Sequence, residues 1–274
     1  MLTRTKPKAL DLFCCAGGAG MGLWQAGFEV FGVDIKPQPR YPFAFIQADA
    51  LAFPLEGYDF IWASPPCQNY SITKALFRGQ KRAHRSLIRP IRRRLAAQNA
   101  PYVIENVMGA PLRDPIMLCG TMFGLRVYRH RIFECSFQIQ APEHPKHTHG
   151  STGSHRGYSR GNPMVCVAGH NFKKEEGEIA MGIDWMTSRA QLAQAIPPAY
   201  AKFIGEAAMA HIKQTQDVGQ LELLRDKLSD VQGEIEGERA RLRSIQMRCS
   251  HPNRFATCCM GNSGWHCPDC GWSV

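Results

Sequence analysis

Short apolar runs alternate with helix-like stretches through the first half of the chain. Aromatic and β-branched residues concentrate in runs of strand length, which predict strands at 9–13, 29–33, 43–47, 58–63 and 101–105. A glycine-rich turn and a helical stretch follow the first run, and an arginine-rich stretch predicts a crossover helix before the last. This β-α-β order predicts an α/β fold with a mostly parallel sheet.

The pattern changes after the first half. Residues 141–163 are rich in His, Gly, Ser, Pro and Thr, which is typical of an irregular, exposed segment. Residues 164–168 predict another strand, and 188–212 predict two helical stretches broken by Pro197 and Pro198.

Apolar residues recur at a spacing of three and four from Leu221 to Ile245. This spacing favours either a short coiled coil or a helix docked on its own domain, and Gly233 and Gly237 weaken the pattern. In the first case, residues 218–246 would support self-association.

Length and composition exclude several protein classes. A chain of 274 residues with 44% hydrophobic content can form one sizeable core plus small appendages. No segment approaches the roughly 18 uncharged apolar residues of a membrane helix, so no membrane partner is expected. The basic N-terminus runs into a predicted strand without an apolar signal core, which indicates a cytoplasmic protein.

Positive charge is concentrated in one stretch. The net charge is +10, from 33 Lys and Arg against 23 Asp and Glu. Between Gln68 and Tyr102 there is no acidic residue, and the basic ones are Lys74, Arg78, Lys81, Arg82, Arg85, Arg89, Arg92, Arg93 and Arg94. Solvated helix faces normally mix both signs, so this run favours a nucleic-acid partner over such a face.

Cys67 lies where a structural cysteine is unusual. It follows Pro65 and Pro66 directly after the predicted strand 58–63. The two prolines fix two φ angles and remove two donors, so the cysteine opens a rigid loop at a strand end. Strand ends carry the chemistry of α/β sheets, which makes Cys67 a candidate nucleophile.

Other strand ends carry candidate ligand and proton-transfer groups. The glycine-rich turn after the first strand favours an anionic or nucleoside ligand, with Asp34 and Asp49 as carboxylates at the next strand ends. Each acid alone is more typical of a helix cap or turn, but three such features on successive strand ends together favour a ligand site. Glu105 ends a later strand and could hand over a proton, and the segment Arg129–Arg131 adds cations that could hold an oxyanion.

These motifs together resemble the DNA cytosine-5 methyltransferase family, in a compact, phage-like form, over residues 9 to about 206. The matching segments, in order, are Asp11-Leu12-Phe13 with Gly17-Gly18, Pro66-Cys67-Gln68, Glu105-Asn106-Val107, Arg129 with Arg131, and Gln194-Ala195-Ile196-Pro197-Pro198. The departures are Cys15 and Val127, which replace an expected glycine and glutamine, Asp34 in place of a glutamate, and an absent asparagine near Gln194.

The resemblance implies a Rossmann-like sheet that binds S-adenosylmethionine and double-stranded DNA. The implied cofactor-binding residues are Phe13 against the adenine, Asp34 on the ribose, Asp49 near the adenine amine, and Gly17, Gly18 and Pro66. The implied catalytic residues are Cys67 attacking carbon 6 of a flipped-out cytosine, Glu105 protonating ring nitrogen 3, and Arg129 and Arg131, of which Arg131 contacts the base carbonyl.

The same resemblance divides the chain. Residues 1–134 form the catalytic and cofactor-binding domain, 135–188 a small recognition segment, and 189–212 a return to the catalytic domain. Residues 213–248 form a helical or coiled-coil linker, and 249–274 a zinc-binding tail. Within the recognition segment, the histidines favour a solvated, DNA-facing loop over a metal site because they lack knuckle spacing. Candidate DNA contacts are Arg156, Tyr158, Arg160, Asn162 and His170.

The eleven cysteines do not read as a disulfide scaffold, because their number is odd and five lie in the last 26 residues. A tail this short can scarcely fold without a metal. The spacing predicts a structural zinc held by Cys249, His251, Cys267 and Cys270, with Cys258 and Cys259 in reserve; the alternative is a disordered, thiol-bearing tail.

Two rival functions remain open at this point. An RNA cytosine methyltransferase would use the same chemistry. A zinc-bearing DNA-binding regulator on an inactive scaffold would not need Cys67, Glu105 and Arg131, all of which are present.

Overall fold

The computed structural model describes residues 6–70, 86–148, 150–152, 164–169, 172–248, 255–259 and 262–266. The chain divides into two compact units, residues 1–213 and 214–274. The predicted zinc ligands Cys249, His251, Cys267 and Cys270 and the five candidate DNA contacts of the recognition segment lie outside the described residues.

A seven-stranded sheet forms the centre of the first unit. Its strands are β1 (Lys8–Leu12), β2 (Glu29–Asp34), β3 (Ala44–Gln47), β4 (Phe60–Ala63), β5 (Tyr102–Asn106), β6 (Ile116–Leu118) and β7 (Arg131–Cys135). They lie in the order β3-β2-β1-β4-β5-β7-β6. The first five are parallel, as predicted, while β7 runs antiparallel to both β5 and β6.

The order of the strands positions the site. The chain moves from β1 outward through β2 to β3 and then returns to place β4 on the other side of β1. At such a reversal the loops leaving the carboxyl ends of adjacent strands separate and leave a crevice. The candidate residues at the ends of β1, β2, β4 and β5 all face this crevice region.

The first unit also contains helices. They are α1 (Gly18–Gln25), α2 (Ile88–Leu95), a 3-10 helix (Gly120–Phe123), α3 (Lys174–Met181), α4 (Arg189–Gln194) and the start of α5 (Pro198–Arg248). Pro198 stands at the first position of α5, where a missing N–H costs nothing, so the predicted break at the two prolines is present.

The core lies on both faces of the sheet. On one face, Trp62 and Phe133 pack with Tyr200 of α5, and all three are fully buried. On the other, Leu10 and Ile61 pack with Ile91 of α2. Full burial of such side chains stabilises the fold by about 1.5–3 kcal/mol each.

A smaller cluster supports the late part of the unit. Phe172, Met181 and Leu192 pack together across α3 and α4. A two-stranded parallel pair, β8 (Ser151–Thr152) with β9 (Met164–Val165), lies in the predicted recognition segment. Residue 165 also joins this cluster and donates its amide to the Arg126 carbonyl at 2.7 Å.

The second unit contains the rest of α5 and a hairpin of β10 (Phe255–Cys259) with β11 (Asn262–His266). The apolar residues of the predicted heptad stretch are exposed there, namely Val218, Leu221, Leu224, Leu228, Val231, Ile235 and Leu242. Self-association through residues 218–246 stays a prediction. None of the helices in the described part of the chain has the length and apolar character needed to cross a bilayer.

Candidate active site

A cavity of about 330 Å³ opens at the carboxyl ends of β1, β2, β4 and β5. Its lining includes five predicted site residues that are far apart in sequence: Phe13, Asp34, Cys67, Glu105 and Arg131. Gly18, Pro66 and the segment from Ala193 to Ile196 complete much of the wall. The fold therefore brings residues predicted to bind the cofactor and residues predicted to be catalytic to the same cavity.

The loop that carries Cys67 is fixed on three sides. The Ser64 amide donates to the Leu12 carbonyl at 3.1 Å, and the Asn106 side-chain amide donates to the Pro65 carbonyl at 2.9 Å. The Tyr70 amide donates to the Cys67 carbonyl at 2.9 Å. With φ also locked at both prolines, the thiol is held at a defined position. Asn106 was part of a matched motif, but this positioning role depends on a contact that the sequence does not reveal.

Glu105 and Arg131 face each other within the cavity. The Arg131 Nε lies 3.2 Å from Glu105 Oε1, and both side chains are largely buried. Burial raises the pKa of the Glu105 carboxyl above its usual value, while Arg131 and a hydrogen bond from Ser64 oppose the rise. A carboxyl with a raised pKa is suited to donate a proton near neutral pH.

The Cys67 thiol responds to the same charges. Burial raises its pKa, the charge of Glu105 raises it further, and Arg131 lowers it. Protonation of Glu105 would remove one of the two causes that disfavour the thiolate. Nucleophile and acid are therefore coupled, such that a neutral Glu105 favours an ionised Cys67.

Arg129 does not line the cavity, although its sequence neighbour Arg131 does. Its guanidinium donates to the carbonyls of Ala195 at 2.8 Å, Val167 at 2.7 Å and Ala193 at 2.7 Å. Burial lowers its pKa to about 9. These contacts tie the late segment to the start of β7 and give Arg129 a positioning role; its predicted catalytic role stays a prediction.

The turn after β1 has an unusual backbone. Phe13 and Cys15 both adopt positive φ, at 61° and 46°. The Cys15 amide donates to Asp34 Oδ2 at 3.1 Å, and the Lys36 amide donates to Asp34 Oδ1 at 2.9 Å. Asp34 thus holds the turn against the end of β2 while its carboxylate borders the cavity.

Gly17 and Gly18 are required by packing as well as by any ligand. Gly17 has φ of 84°, and a Cβ there would approach Pro42 Cδ to 2.7 Å. A Cβ on Gly18 would lie 2.4 Å from the carbonyl oxygen of Ile196. The start of α1 therefore sits directly against the late segment, and only Gly18 of the pair lines the cavity.

Asp49 is outside the cavity lining. Its side chain is exposed and accepts the Leu51 amide at 2.9 Å, as a residue that caps a turn does. Its predicted contact with an adenine amine stays a prediction.

Asp11 is a cavity residue to which the sequence assigned no role. It is 1% exposed, and Tyr41 donates a hydrogen bond to its Oδ2 at 3.0 Å. Among the described residues, no group hydrogen-bonds to its Oδ1. Burial raises the pKa of this carboxyl to about 7. An unpartnered carboxylate oxygen beside a cavity can accept a hydrogen bond from a cationic or other donor group of a ligand.

Only part of the basic run lies in described residues, and two of its arginines face inward. Arg92 makes an ion pair with Glu134, and Arg94 donates to the carbonyls of Ala50 and Phe53, both at 2.6 Å. Arg89 and Arg93 of α2 are exposed. Part of the basic run therefore stabilises the fold, and a count of charges in the sequence cannot distinguish these inward-facing arginines from exposed ones.

Comparison with known proteins gives structural neighbours only. No protein-family profile and no curated protein sequence matches the chain. A crystal structure of a protein assigned as a DNA modification methyltransferase, encoded within an E. coli prophage, superimposes with a TM-score of 0.51 and 14% identity. The S. pombe Dnmt2 methyltransferase superimposes with a TM-score of 0.51 and 12% identity. Each match covers 76% of this chain and 99% of the neighbour.

The chain has the Rossmann-like fold of these methyltransferases. This confirms the predicted fold class, and it agrees with the resemblance that the motifs carry. At such low identity the neighbours establish the architecture, and the chemistry has to be argued from the cavity.

Proposed function

We propose that the chain is an S-adenosylmethionine-dependent DNA cytosine-5 methyltransferase. The observation that supports this most is the convergence of Cys67, Glu105 and Arg131 with Phe13 and Asp34 on one cavity. A thiol, a carboxyl of raised pKa and a guanidinium are the groups needed to activate a pyrimidine ring.

The residues present fit the proposed cofactor. Asp11 offers an unpartnered buried oxygen to the cofactor's ammonium group, Asp34 a carboxylate to ribose hydroxyls, and Phe13 an aromatic face to adenine. When bound, S-adenosylmethionine supplies an electrophilic methyl group. The chain's part is to orient it and to exclude water around it.

Cys67 acts first in the proposed reaction. Its sulfur forms a bond to carbon 6 of the cytosine, and the electron pair of the ring's double bond moves toward nitrogen 3. Glu105 donates its proton to that nitrogen, so no net charge builds up on the ring. Arg131, already 3.2 Å from Glu105, is placed to bind the base carbonyl and to stabilise the carboxylate that Glu105 becomes.

Carbon 5 of the resulting adduct is electron-rich and would accept the methyl group that the cofactor supplies, with S-adenosylhomocysteine as the leaving group. A base from solvent, such as a water molecule, would then take the proton from carbon 5, which restores the double bond and expels the Cys67 thiolate by β-elimination. The proton on nitrogen 3 returns to Glu105. The enzyme is regenerated and 5-methylcytosine is the product.

A cytosine in a duplex must leave the base stack before Cys67 can reach carbon 6. Extrusion costs a few kcal/mol, which phosphate contacts must offset. The net charge of +10 and the basic run that follows Cys67 in sequence support such contacts. Because much of that run lies outside the described residues, its contact with DNA is a proposal from charge alone.

A methyl-transfer assay tests the proposal. Purified full-length protein is incubated with tritiated S-adenosylmethionine and either duplex DNA or tRNA, beside the Cys67→Ala variant. We expect label on DNA cytosine at carbon 5, little on tRNA, and none with the variant. Label mainly on tRNA would replace DNA with RNA as substrate. DNA binding without transfer, unchanged in Cys67→Ala, would support the regulator.

A further inference from the structure

Four potential metal ligands meet where β6 ends and β7 begins. They are Cys119, His130, His144 and His147, and their ligand atoms all lie within 4.8 Å of one another. Cys119 is buried, whereas His144 and His147 are exposed. For the histidines of the recognition segment the sequence favoured a solvated loop over a metal site; Cys119 and His130 lie outside that segment, and no short motif links all four residues.

The sheet brings the first two ligands together. Leu118 pairs with Arg131 in the antiparallel register of β6 and β7, so Cys119 and His130, one residue beyond, face each other. The Gly120 amide donates to the Tyr128 carbonyl at 2.9 Å and holds the two strand ends close. This part of the site rests on regular hydrogen-bonded backbone and is rigid before any ion binds.

The other two ligands come from the segment that follows β7. His144 and His147 form a His-x-x-His pair with Pro145 between them. The Sγ of Cys119 lies 3.4 Å from His147 Nε2, and His130 Nε2 lies 3.4 Å from His144 Nε2. A tetrahedral ion with bonds of about 2.0–2.3 Å separates its ligand atoms by roughly 3.3–3.7 Å. The Cys119–His147 and His130–His144 separations, both 3.4 Å, lie within this range.

Ring stacking combined with hydrogen bonding is the competing explanation. His147 stacks on Tyr128 with centroids 3.7 Å apart, and His130 lies 5.0 Å from His147. Hydrogen bonds account separately for the contact of Cys119 with His147 and for that of His130 with His144. Neither stacking nor two separate hydrogen bonds require all four ligand atoms to lie within 4.8 Å of one another, whereas a shared metal ion does.

We propose that Cys119, His130, His144 and His147 bind one Zn²⁺ ion as a structural site. One thiolate and three imidazoles suit this borderline-soft ion, and four protein ligands leave no open position for catalysis. The ion would fasten the start of the recognition segment to the start of β7, next to Arg131. This site is distinct from the predicted zinc of the tail and does not depend on the proposed methyl transfer.

Metal content tests the site directly. Full-length protein purified with zinc is analysed by plasma mass spectrometry as wild type and as the double variant His144→Ala/His147→Ala. Both side chains are exposed, so the variant should fold. We expect the variant to lose about one zinc per chain, whatever the tail contributes, and residual affinity to fall at least roughly 100-fold. His211→Ala, outside the cluster, serves as the matched control and should lose none.

Cobalt substitution identifies the thiolate. Wild-type protein loaded with Co²⁺ should gain tetrahedral visible absorption and a sulfur-to-cobalt charge-transfer band. In Cys119→Ser, the intensity of the charge-transfer band should fall by the contribution of one thiolate. Cys166→Ser should keep the wild-type spectrum. Equal zinc content in wild type and the double histidine variant, or a cobalt spectrum unaffected by Cys119→Ser, would overturn the proposal.

Discussion

Glu105 and Glu134 lie on neighbouring strands and are equally buried, at 5% and 4% exposure, yet they are held very differently. Glu134 accepts Nε and a terminal nitrogen of Arg92 at 2.7 and 2.6 Å, and also the Arg113 amide at 2.8 Å. Glu105 has one ion-pair contact with Arg131, at 3.2 Å, and borders the cavity.

The difference separates a structural charge from one that is kept free to react. In Glu134, the bidentate pair with Arg92 and the hydrogen bond from the Arg113 amide satisfy both carboxylate oxygens, so this carboxylate has a structural role. Glu105 has a longer ion pair with Arg131 and a hydrogen bond from Ser64, and its pKa is still raised, so it is able to hold or release a proton. Burial alone would have assigned both residues the same role.

Glu105→Gln should give the largest functional effect. Glutamine keeps the size and can still bind nitrogen 3, but it cannot donate the proton that the adduct needs. We expect kcat to fall by about 10²–10⁴-fold. Single-turnover methyl transfer to duplex DNA measures this, and a melting temperature close to that of wild type shows that the fold is intact. If the variant turned over at the wild-type rate, Glu105 could not be the proton donor of the reaction.

Glu134→Ala should produce the opposite profile. Removing one partner of this buried pair leaves the Arg92 charge uncompensated, and the free energy of unfolding should fall by about 3–5 kcal/mol. Urea denaturation measures the loss. Methyl transfer per folded molecule should stay near wild type. A large loss of turnover in a stable Glu134→Ala protein would break the comparison between the two glutamates.

Asp11 extends the comparison to pH. Its pKa is about 7 in the folded chain, above the value of 3.8 that it has when solvated. The stability contributed by the neutral carboxyl is complete below about pH 4 and is lost as the pH rises through 7. Between pH 5 and 8 the ligand-free protein should lose roughly 2–3 kcal/mol from this group.

Asp11→Asn should remove that part of the pH dependence. S-adenosylmethionine, whose ammonium group is proposed to meet Oδ1, should stabilise wild type at pH 8 more than it stabilises the variant. Urea denaturation across pH, with and without the cofactor, measures both effects. Identical pH profiles for the two proteins would show that Asp11 stays ionised at all these pH values.

The sequence predicted most of the parallel sheet and the central residues of the cavity. The sequence could predict that Cys67, Glu105 and Arg131 lie close together, because each adjoins a recognisable strand and the ends of parallel strands meet at one edge of the sheet. The edge strand β6 was missed since Ile116–Leu118 is too short for a periodic pattern.

The remaining assignments depend on partners that are distant in sequence. The positioning contacts of Arg129 arise from the carbonyls of residues 167, 193 and 195, which accept hydrogen bonds from its guanidinium. The unpartnered oxygen of Asp11 exists only once burial has excluded water from it. The Cys119 cluster requires the β6–β7 register, which the sequence does not predict.

Trapping the proposed covalent adduct is the most direct test of the central claim, that Cys67 attacks a cytosine of DNA. Duplex DNA whose cytosines carry fluorine at carbon 5 is mixed with the protein and S-adenosylmethionine. Fluorine cannot leave as the carbon-5 proton does, so β-elimination is blocked. We predict a protein–DNA complex that survives denaturing electrophoresis and whose linked peptide contains Cys67, with none formed by Cys67→Ala. Methylation of ordinary DNA by the Cys67→Ala variant, or active wild-type protein that yields no such complex, would contradict the account.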